Sequence, residues 1–372
     1  MNFKTNWWKI LLAGGLLLLI IYFFLPRQDI NIITQMTEEE TAGLRRVLNR
    51  YELYNLVNFN IVNISFNNHY NRIEEFIKAD TAVDIARGDI KMPTWFKTYV
   101  VNDRTEAQAV DCLVLIYNPQ IIKTPPQTIE EFLTIARQKT IDEAGNHLGE
   151  DQFDPGQIEQ YGAYAPLNSG WWMSSFFGGQ DQKFLTSDFN EEKFAATAEE
   201  FKNLYQQGAL ALPNKDKFYQ WMMNKFTAGE IGMIINGPWA VPKLREADIK
   251  FKMALVPQGE EGRFSPMGGQ QWIMLSDKKE VKEIMSYLSS TEAANLFYKY
   301  NGTLMPNQSF LANLEEAENN VVAKQLSQAV KIDKKDDYRL YKFFSDDFMK
   351  YIKGQLTTEK LVQNWEQELN KK

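Results

Sequence analysis

The sequence predicts an α/β fold in which helices cover a parallel or mixed sheet. Segments with strand-like and helical patterns alternate along residues 29–85, in the order β-α-β-α-β. Residues 112–117 (CLVLIY) form a near-continuous apolar run, which is typical of a strand buried on both faces. The chain has 372 residues, which is enough for two domains of ordinary size.

The strands are predicted from alternation and from apolar runs. Residues 57–66 alternate apolar and polar side chains, as a half-buried strand does. We expect a short strand before it at 29–35 and a buried strand after it at 81–85, followed by the strand at 112–117.

The helices are predicted from side chains that recur on one face. Residues 41–54 place Leu44, Val47, Leu48 and Tyr51 on the same side of a helix. Thr128 is expected to cap a helix that starts with the sequence Ile-Glu-Glu-Phe. Further helices are predicted at 71–78, 191–207, 218–228, 280–288, 291–300, 336–353 and from 358 onward.

The composition argues against several classes of function. The net charge of −7 is unfavourable for a nucleic-acid-binding protein, which needs a concentrated basic face. Cys112 is the only cysteine, so a disulfide within the chain and a cysteine-built zinc site are both impossible. His69 and His147 stand far apart and near no other metal ligands. We therefore expect no metal, no cofactor and no catalytic residues.

The amino terminus carries a membrane-directed segment. Residues 10–25 are uncharged and apolar, Lys4 and Lys9 precede them, and Trp7 and Trp8 extend the run toward the ~20 residues that a bilayer core needs. The run ends in Tyr-Phe-Phe-Leu-Pro-Arg, without the small residues of a signal cleavage site, and no cysteine follows for lipidation. We expect residues 1–28 to form a cytoplasmic tip and an uncleaved transmembrane helix, with the rest of the chain outside the cytoplasm. A cleaved signal is the alternative.

Three segments, taken in order, resemble extracellular solute-binding protein family 1, the maltose-binding-protein-like sugar receptors of ABC importers. Residues 110–127 (VDCLVLIYNPQIIKTPPQ) precede a TIEEF helix start, and residues 226–240 (FTAGEIGMIINGPWA) end in Asn-Gly-Pro-Trp. The third segment begins at Met267 (MGGQQWIML) and continues through Ser-Thr-Glu-Ala to a Met-Pro pair. Gly354, followed by Thr358 and Glu359, also resembles the sequence pattern near the family's carboxyl end.

The resemblance implies a two-lobed, periplasmic-binding-protein-like (type II) fold with hinge strands. Its N-lobe would comprise residues 29–110 and 262–304, and its C-lobe residues 114–258 and 307–372. The strands that cross between the lobes would lie near 110–114, 258–266 and 301–307.

The resemblance also implies five candidate residues for the ligand site in the C-lobe or at its edge. Trp239 would project from a Gly-Pro turn at the carboxyl end of a buried strand and stack on a sugar ring. Asp111, at the start of the 112–117 strand, would accept hydrogen bonds from sugar hydroxyls. One of Trp171 and Trp172 would line the cleft while the other packs in the core. Tyr341 would provide a further stacking ring.

The N-lobe offers weaker candidates. Arg87 and Asp89 follow the predicted 81–85 strand, and Glu38 and Glu39 lie in the predicted loop after the first strand. We expect Arg87, Asp89 and Glu38 to face the ligand from this lobe.

The function implied by the resemblance is the binding of a mono- or oligosaccharide by hinged lobe closure, without chemistry. The partners would be a small-molecule solute, most simply a sugar, and ABC permease subunits in the membrane, with the receptor a monomer. The alternatives are a same-fold receptor for a polyamine, phosphorylated polyol or metal chelate, an anchored glycosidase with paired carboxylates, and a structural or sensory module that has kept the fold and lost binding.

Overall fold

A computed structural model of the chain describes residues 25–64, 69–89, 92, 94–214, 217–313, 317–330 and 337–371, with the single positions 12, 14, 15 and 22. The chain divides into two compact units. Unit 1 comprises Met1–Gln108 and Gln270–Tyr300, and unit 2 comprises Ala109–Gly269 and Asn301–Lys372. The backbone therefore passes from one unit to the other three times.

The described residues form an α/β arrangement of strands, α-helices and short 3₁₀ turns. The strands are β1 (Gln28–Thr34), β2 (Val57–Asn63), β3 (Ile85–Asp89), β4 (Thr105–Asp111), β5 (Val114–Tyr117), β6 (Ile141–Asp142), β7 (Ile158–Gln160), β8 (Met233–Asn236), β9 (Lys252–Ala254) and β10 (Gly268–Met274). The helices are α1 (Glu38–Glu52), α2 (His69–Lys78), α3 (Ile129–Gln138), α4 (Gly170–Gln180), α5 (Glu191–Gln206), α6 (Phe218–Thr227), α7 (Val241–Glu246), α8 (Lys279–Leu288), α9 (Thr291–Asn301), α10 (Gln308–Ala312), α11 (Ala317–Ser327), α12 (Asp337–Ile352) and α13 (Thr358–Leu369).

A mixed sheet of five strands organises unit 1, in the order β2-β1-β3-β10-β4. The strands β1, β2 and β3 are parallel, with Ile32 opposite Ile61 and Ile85, whereas β10 runs antiparallel to β3. The buried side chains Ile30 and Ile32 lie on β1. The β-α-β-α-β order predicted from the sequence produces this arrangement, because each helix returns the chain for a parallel strand.

Helix α1 shows why the local sequence begins a helix at residue 38. Thr37 Oγ1 accepts a hydrogen bond from the Glu40 N–H at 3.2 Å, and Glu40 Oε2 accepts one from the Thr37 N–H at 2.9 Å. This reciprocal capping box satisfies two backbone donors at the helix start. Leu44, Val47 and Leu48 then form the buried face.

Unit 2 is organised around a small antiparallel sheet and a core rich in phenylalanine. The central strand β5 lies between β8 and β9, and all four of its residues are buried because both edges and both faces are covered. In the core, Phe177 contacts Phe194 and Phe344 at ring-centroid distances of 5.0 and 4.9 Å. Trp365 is also buried and donates from Nε1 to the Phe184 carbonyl at 2.8 Å.

Most of the predicted elements are confirmed, and three are corrected. The predicted strand at 81–85 is displaced, because the residues that pair with the rest of the sheet are Ile85–Asp89. The predicted strand at 112–117 begins at Val114, so Asp111 ends β4 rather than starting β5. Glu38 and Glu39 lie in the first turn of α1 rather than in a loop.

The apolar run at residues 10–25 lies for the most part outside the described residues. Of the helices that the structure does describe, none has the length and apolar character needed to cross a membrane.

Candidate functional site

Three tryptophans of unit 2 lie together where β8 ends and α4 begins. Trp171 and Trp172 occupy the first turn of α4, with ring centroids 5.2 Å apart, and Trp239 follows β8 in a short 3₁₀ turn, Pro238–Ala240. The Trp239 ring lies 5.9 Å from Trp171 and 6.1 Å from Trp172. All three indoles are half-buried. We call these three residues the tryptophan cluster.

Within the cluster, Trp172 is the more confined side chain. Its ring meets Trp239 nearly edge-on, at 89°, and Phe218 of α6 at 84° with a centroid distance of 5.4 Å. The Trp172 Nε1 is buried, and it has no hydrogen-bond partner within the described ranges. Rings held from several sides in this way pack as structural elements, which distinguishes Trp172 from Trp171.

Gly237 permits the position of the Trp239 ring. The indole folds back over this glycine, and a Cβ added there would lie 1.8 Å from Trp239 Cζ3. Contacts under about 3 Å between carbon atoms are strongly repulsive, so a side chain at 237 and this indole position exclude each other. The turn is also fixed by Asn236, whose side-chain oxygen accepts from the Gly237 N–H at 2.9 Å.

Asp111 and Trp171 both approach Gly268. A Cβ added to this glycine would stand 3.4 Å from Trp171 Cζ2 and 3.7 Å from Asp111 Cβ. The end of β4, the start of β10 and the first turn of α4 therefore meet at one place. Asp111 is half-buried, and its carboxylate is a hydrogen-bond acceptor.

The backbone of Tyr341 in α12 packs closely against Gly170, the first residue of α4. A Cβ on Gly170 would lie 2.5 Å from the Tyr341 carbonyl oxygen, so the two helices approach with no room for a side chain. Ser345 Oγ bridges them, since it donates to the Tyr341 carbonyl at 2.6 Å and accepts from the Gly170 N–H at 2.7 Å. The structure thus gathers Trp239, Trp171, Trp172, Asp111 and Tyr341 in one region of unit 2.

In unit 1, Arg87 is a buried cation within β3. It is 7% exposed, and its Nε donates to Gln108 Oε1 at 3.0 Å. Across the described ranges, the buried Gln108 Nε2 lacks a hydrogen-bond partner. A buried donor without an acceptor is costly, because it has lost its hydrogen bonds to water.

Asp89 and Glu38 are placed differently from the prediction. Asp89 is the last residue of β3, and its Oδ1 already accepts from Gln270 Nε2 at 2.8 Å. The Asp89 carbonyl accepts from Tyr70 Oη at 3.1 Å, and burial raises the pKa of the Tyr70 hydroxyl well above its usual value. Glu38 is exposed in the first turn of α1, where a carboxylate stabilises the positive end of the helix dipole.

A separate groove of about 530 Å³ lies in unit 2 and contains none of the predicted site residues. Its lining includes Tyr161, Tyr205, Trp221, Pro155 and Pro213. Tyr161 pairs with Ile231 before β8, whereas Trp239 follows β8, so the groove and the tryptophan cluster lie toward opposite ends of this strand.

Sequence reasoning missed the parts played by Gly237, Phe218 and Gln108. The sequence predicts Gly237 only as part of a turn from which Trp239 projects, whereas the Trp239 ring folds back over this glycine, a position that depends on the rotamer of the side chain. Phe218 and Gln108 carry no sequence signal for a site, because each meets its partner only through the packing of separate elements.

Part of the chain is similar to known protein families and to curated proteins. A model of the bacterial extracellular solute-binding proteins matches residues 94–325. Maltodextrin-binding protein MdxE of Bacillus subtilis is 24% identical over 235 residues, which is 59% of this chain and 54% of that protein. A maltotriose-binding protein of Pyrococcus abyssi is 27% identical over 173 residues, 44% of this chain and 34% of that protein. The matched stretches thus span about half or less of these relatives' length.

Solved structures of similar fold cover nearly the whole chain. The GacH receptor of Streptomyces glaucescens aligns with a TM-score of 0.73 at 16% identity, over 92% of this chain and 97% of that one. The maltose/maltodextrin-binding domain MalE of Bdellovibrio bacteriovorus, bound to maltotriose, aligns with a TM-score of 0.74 at 15% identity, over 92% and 98%. At this level of identity the likeness shows the fold.

Proposed function

This chain belongs to the bacterial extracellular solute-binding protein family, and from this premise we propose that it is the substrate-binding component of an ABC importer with a carbohydrate as its solute. Its curated relatives are named as maltodextrin- and maltotriose-binding proteins, which supports a mono- or oligosaccharide ligand. They are binding proteins, so we propose that the solute is bound and released unchanged.

The observation that carries this proposal is the tryptophan cluster. A sugar ring presents an apolar C–H face, and a half-buried indole offers a flat apolar surface of matching size. Trp171 and Trp239 lie 5.9 Å apart with their planes tilted by 46°, so their faces diverge rather than stack on each other. We propose that these two rings cover sugar faces and that Trp172 packs against both of them.

Polar groups complete the proposed site. Asp111, beside Trp171, would accept hydrogen bonds from two hydroxyls of one sugar, as a carboxylate can. We propose Tyr341 as a further aromatic contact, because Gly170 joins it to the first turn of α4. In unit 1 we propose Arg87 as a donor to the solute, whereas Asp89 and Glu38 remain predictions, since both have structural roles of their own.

We propose that the chain is held at the membrane by residues 10–25 as a single-pass anchor, with its amino terminus in the cytoplasm. Such an anchor would raise the concentration of the receptor beside its permease. Retention in the membrane fraction after alkaline carbonate extraction is the expected result. A protein that is released with the peripheral proteins would contradict the anchor.

A thermal-shift panel tests the solute class. The full chain in detergent would be heated with mono- and oligosaccharides including maltotriose, with polyamines and with phosphorylated polyols. At a sugar concentration of about 100 Kd, binding adds about 2.7 kcal/mol and raises the melting temperature by roughly 3–4 °C. Trp239→Ala should cut the shift to about half, because a tenfold rise in the dissociation constant leaves about 1.4 kcal/mol of binding stabilisation at the same sugar concentration. A rise with a polyamine or phosphorylated polyol alone would refute the sugar assignment.

A further inference from the structure

We propose that unit 1 docks on the headgroup region of a lipid bilayer through a surface next to the end of the apolar run. This docking surface comprises Tyr22, Leu25, Leu53 and Tyr54, with Arg27 and Arg50 beside the tyrosines. The inference rests on the proposed membrane anchor and adds an orientation to it: the anchored unit would lie against the membrane instead of moving freely on a tether.

The first observation is exposure of large apolar side chains at one loop. Leu53 and Tyr54, between α1 and β2, are 62% and 70% exposed, and Leu25 is 40% exposed. Single exposed apolar residues are common on protein surfaces, but neighbouring ones mark contact sites. These side chains lie where the α1–β2 loop adjoins the chain that enters β1.

The second observation is that Tyr22, which belongs to the apolar run, contacts this loop. Tyr22 Oη donates to the Leu53 carbonyl at 3.3 Å, so this side chain touches the α1–β2 loop. Gln28 N–H donates to the Leu56 carbonyl at 2.9 Å, and the paired strands begin there with Gln28 opposite Val57. If residues 10–25 enter a bilayer, Leu53 and Tyr54 therefore lie at its surface.

The third observation is the pairing of tyrosine with arginine. The Arg27 guanidinium lies 5.7 Å from the Tyr22 ring centroid, and the Arg50 guanidinium lies 5.2 Å from that of Tyr54. Tyrosine favours the interface because its ring is apolar and its hydroxyl is polar, and arginine can reach lipid phosphates from the same depth. In the described part of the chain Arg27 has no ion-pair partner, whereas Arg50 pairs with Glu292 at 3.1 Å.

The charges around the surface favour shallow contact. The nearby carboxylates of Asp29 and Glu52 are acceptors for Asn58 Nδ2 at 3.0 Å and for the Phe59 N–H at 3.1 Å. With acids and arginines both present, the apolar side chains rather than net charge would drive the contact. The expected depth is that of an interfacial segment, about 5–10 Å into the headgroup boundary.

The same pair of strands provides a matched control. Val62, near the other end of β2, is 43% exposed and lies opposite Ile33. It stands five residues beyond Val57, which at ~3.3 Å per residue places it about 17 Å farther along the strand. A probe at 62 therefore reports on an exposed apolar position of unit 1 that is away from the proposed contact.

The experiment uses a fluorescent probe and lipid-borne quenchers. Cys112 is the only cysteine of the sequence and is buried, so Tyr54→Cys and Val62→Cys can each be labelled with NBD under native conditions. The full-length variants would be placed in vesicles of phosphatidylcholine and phosphatidylglycerol, with and without brominated acyl chains. We expect the probe at 54 to emit at shorter wavelength and to be quenched at least about twofold more than the probe at 62.

Two outcomes would overturn the proposal, and they differ. Equal quenching at 54 and 62, in vesicles from which alkaline carbonate does not release the chain, would refute the docking surface and leave the anchor standing. Release of the chain by carbonate would refute the anchor, and with it the docking surface that depends on it.

Discussion

Replacing Gly237 with alanine should weaken sugar binding without changing any atom of a ligand-contacting side chain. The added Cβ would lie 1.8 Å from Trp239 Cζ3 and 2.1 Å from Cη2. Since ordinary carbon contacts begin at about 3.4 Å, the indole has to retreat by about 1.6 Å or turn to another rotamer. Either movement would remove the Trp239 face from the position that it holds beside Trp171.

The size of the effect follows from the contact that would be lost. One face of a sugar ring covers roughly 60 Å² of an indole, and at ~25 cal/mol per Å² this contact contributes about 1.5 kcal/mol. The dissociation constant should therefore rise about tenfold. Isothermal titration calorimetry, with the sugar that gives the largest thermal shift, measures this change directly.

The control is Gly156→Ala, in another loop of unit 2. There the nearest atom to an added Cβ is a carboxylate oxygen of Asp154, at 3.1 Å, which can move aside. This variant should bind the sugar as the unaltered chain does. A Gly237→Ala protein that melts normally and binds with an unchanged dissociation constant would refute the reasoning. Should that variant fail to fold, Trp239→Phe provides the same test with a smaller ring.

Three further predictions concern stability and reactivity. Thr37→Ala removes one half of the capping box of α1 and should lower the free energy of unfolding by about 1 kcal/mol in urea titrations; Arg45→Ala, at an exposed position inside the helix, serves as the comparison, and equal costs would contradict the capping role. Phe177→Ala leaves a cavity among buried aromatic rings and should cost about 3–5 kcal/mol in the same titrations, so a loss below 1 kcal/mol would show that the core collapses around the gap. Burial raises the pKa of the Cys112 thiol, so a thiol reagent should modify this residue only on unfolding, and rapid labelling of the native protein would contradict the burial. Because the pKa is higher in the folded state than in the unfolded state, the contribution of this thiol to stability should decline as the pH rises above about 8.5, the unfolded pKa.

The second unit was the more predictable part of the site. The Asn-Gly-Pro-Trp sequence placed Trp239 at the carboxyl end of a buried strand, and β8 does end at Asn236. Local sequence suffices there because Pro238 restricts the turn and because β8 begins with the apolar residues Met233–Ile235. The positions of Asp111 near Trp171 and of Tyr341 near Gly170 depend on close approaches at Gly268 and Gly170 that the pattern alone does not reveal.

The first unit was less predictable because its pairings are distant in sequence. The strand placed at 81–85 is in fact Ile85–Asp89, since its antiparallel partner is β10, where Trp272 lies opposite Arg87. Asp89 is held by Gln270, a residue 181 positions away, so its charge could not be assigned to a structural role in advance. The residues Arg87–Asp89 at the end of β3 do not alternate between apolar and polar side chains, so the sequence pattern does not show that the strand extends to Asp89.

The central claim is that the tryptophan cluster of unit 2 holds the sugar, and hydrogen–deuterium exchange tests it most directly. The exchange of backbone amides would be measured with and without a saturating concentration of the sugar that stabilises the chain. We predict slower exchange in residues 169–173 and 237–241, the segments that carry the three indoles. Protection confined to the Tyr161 and Tyr205 groove, with the tryptophan segments unchanged, would contradict the claim.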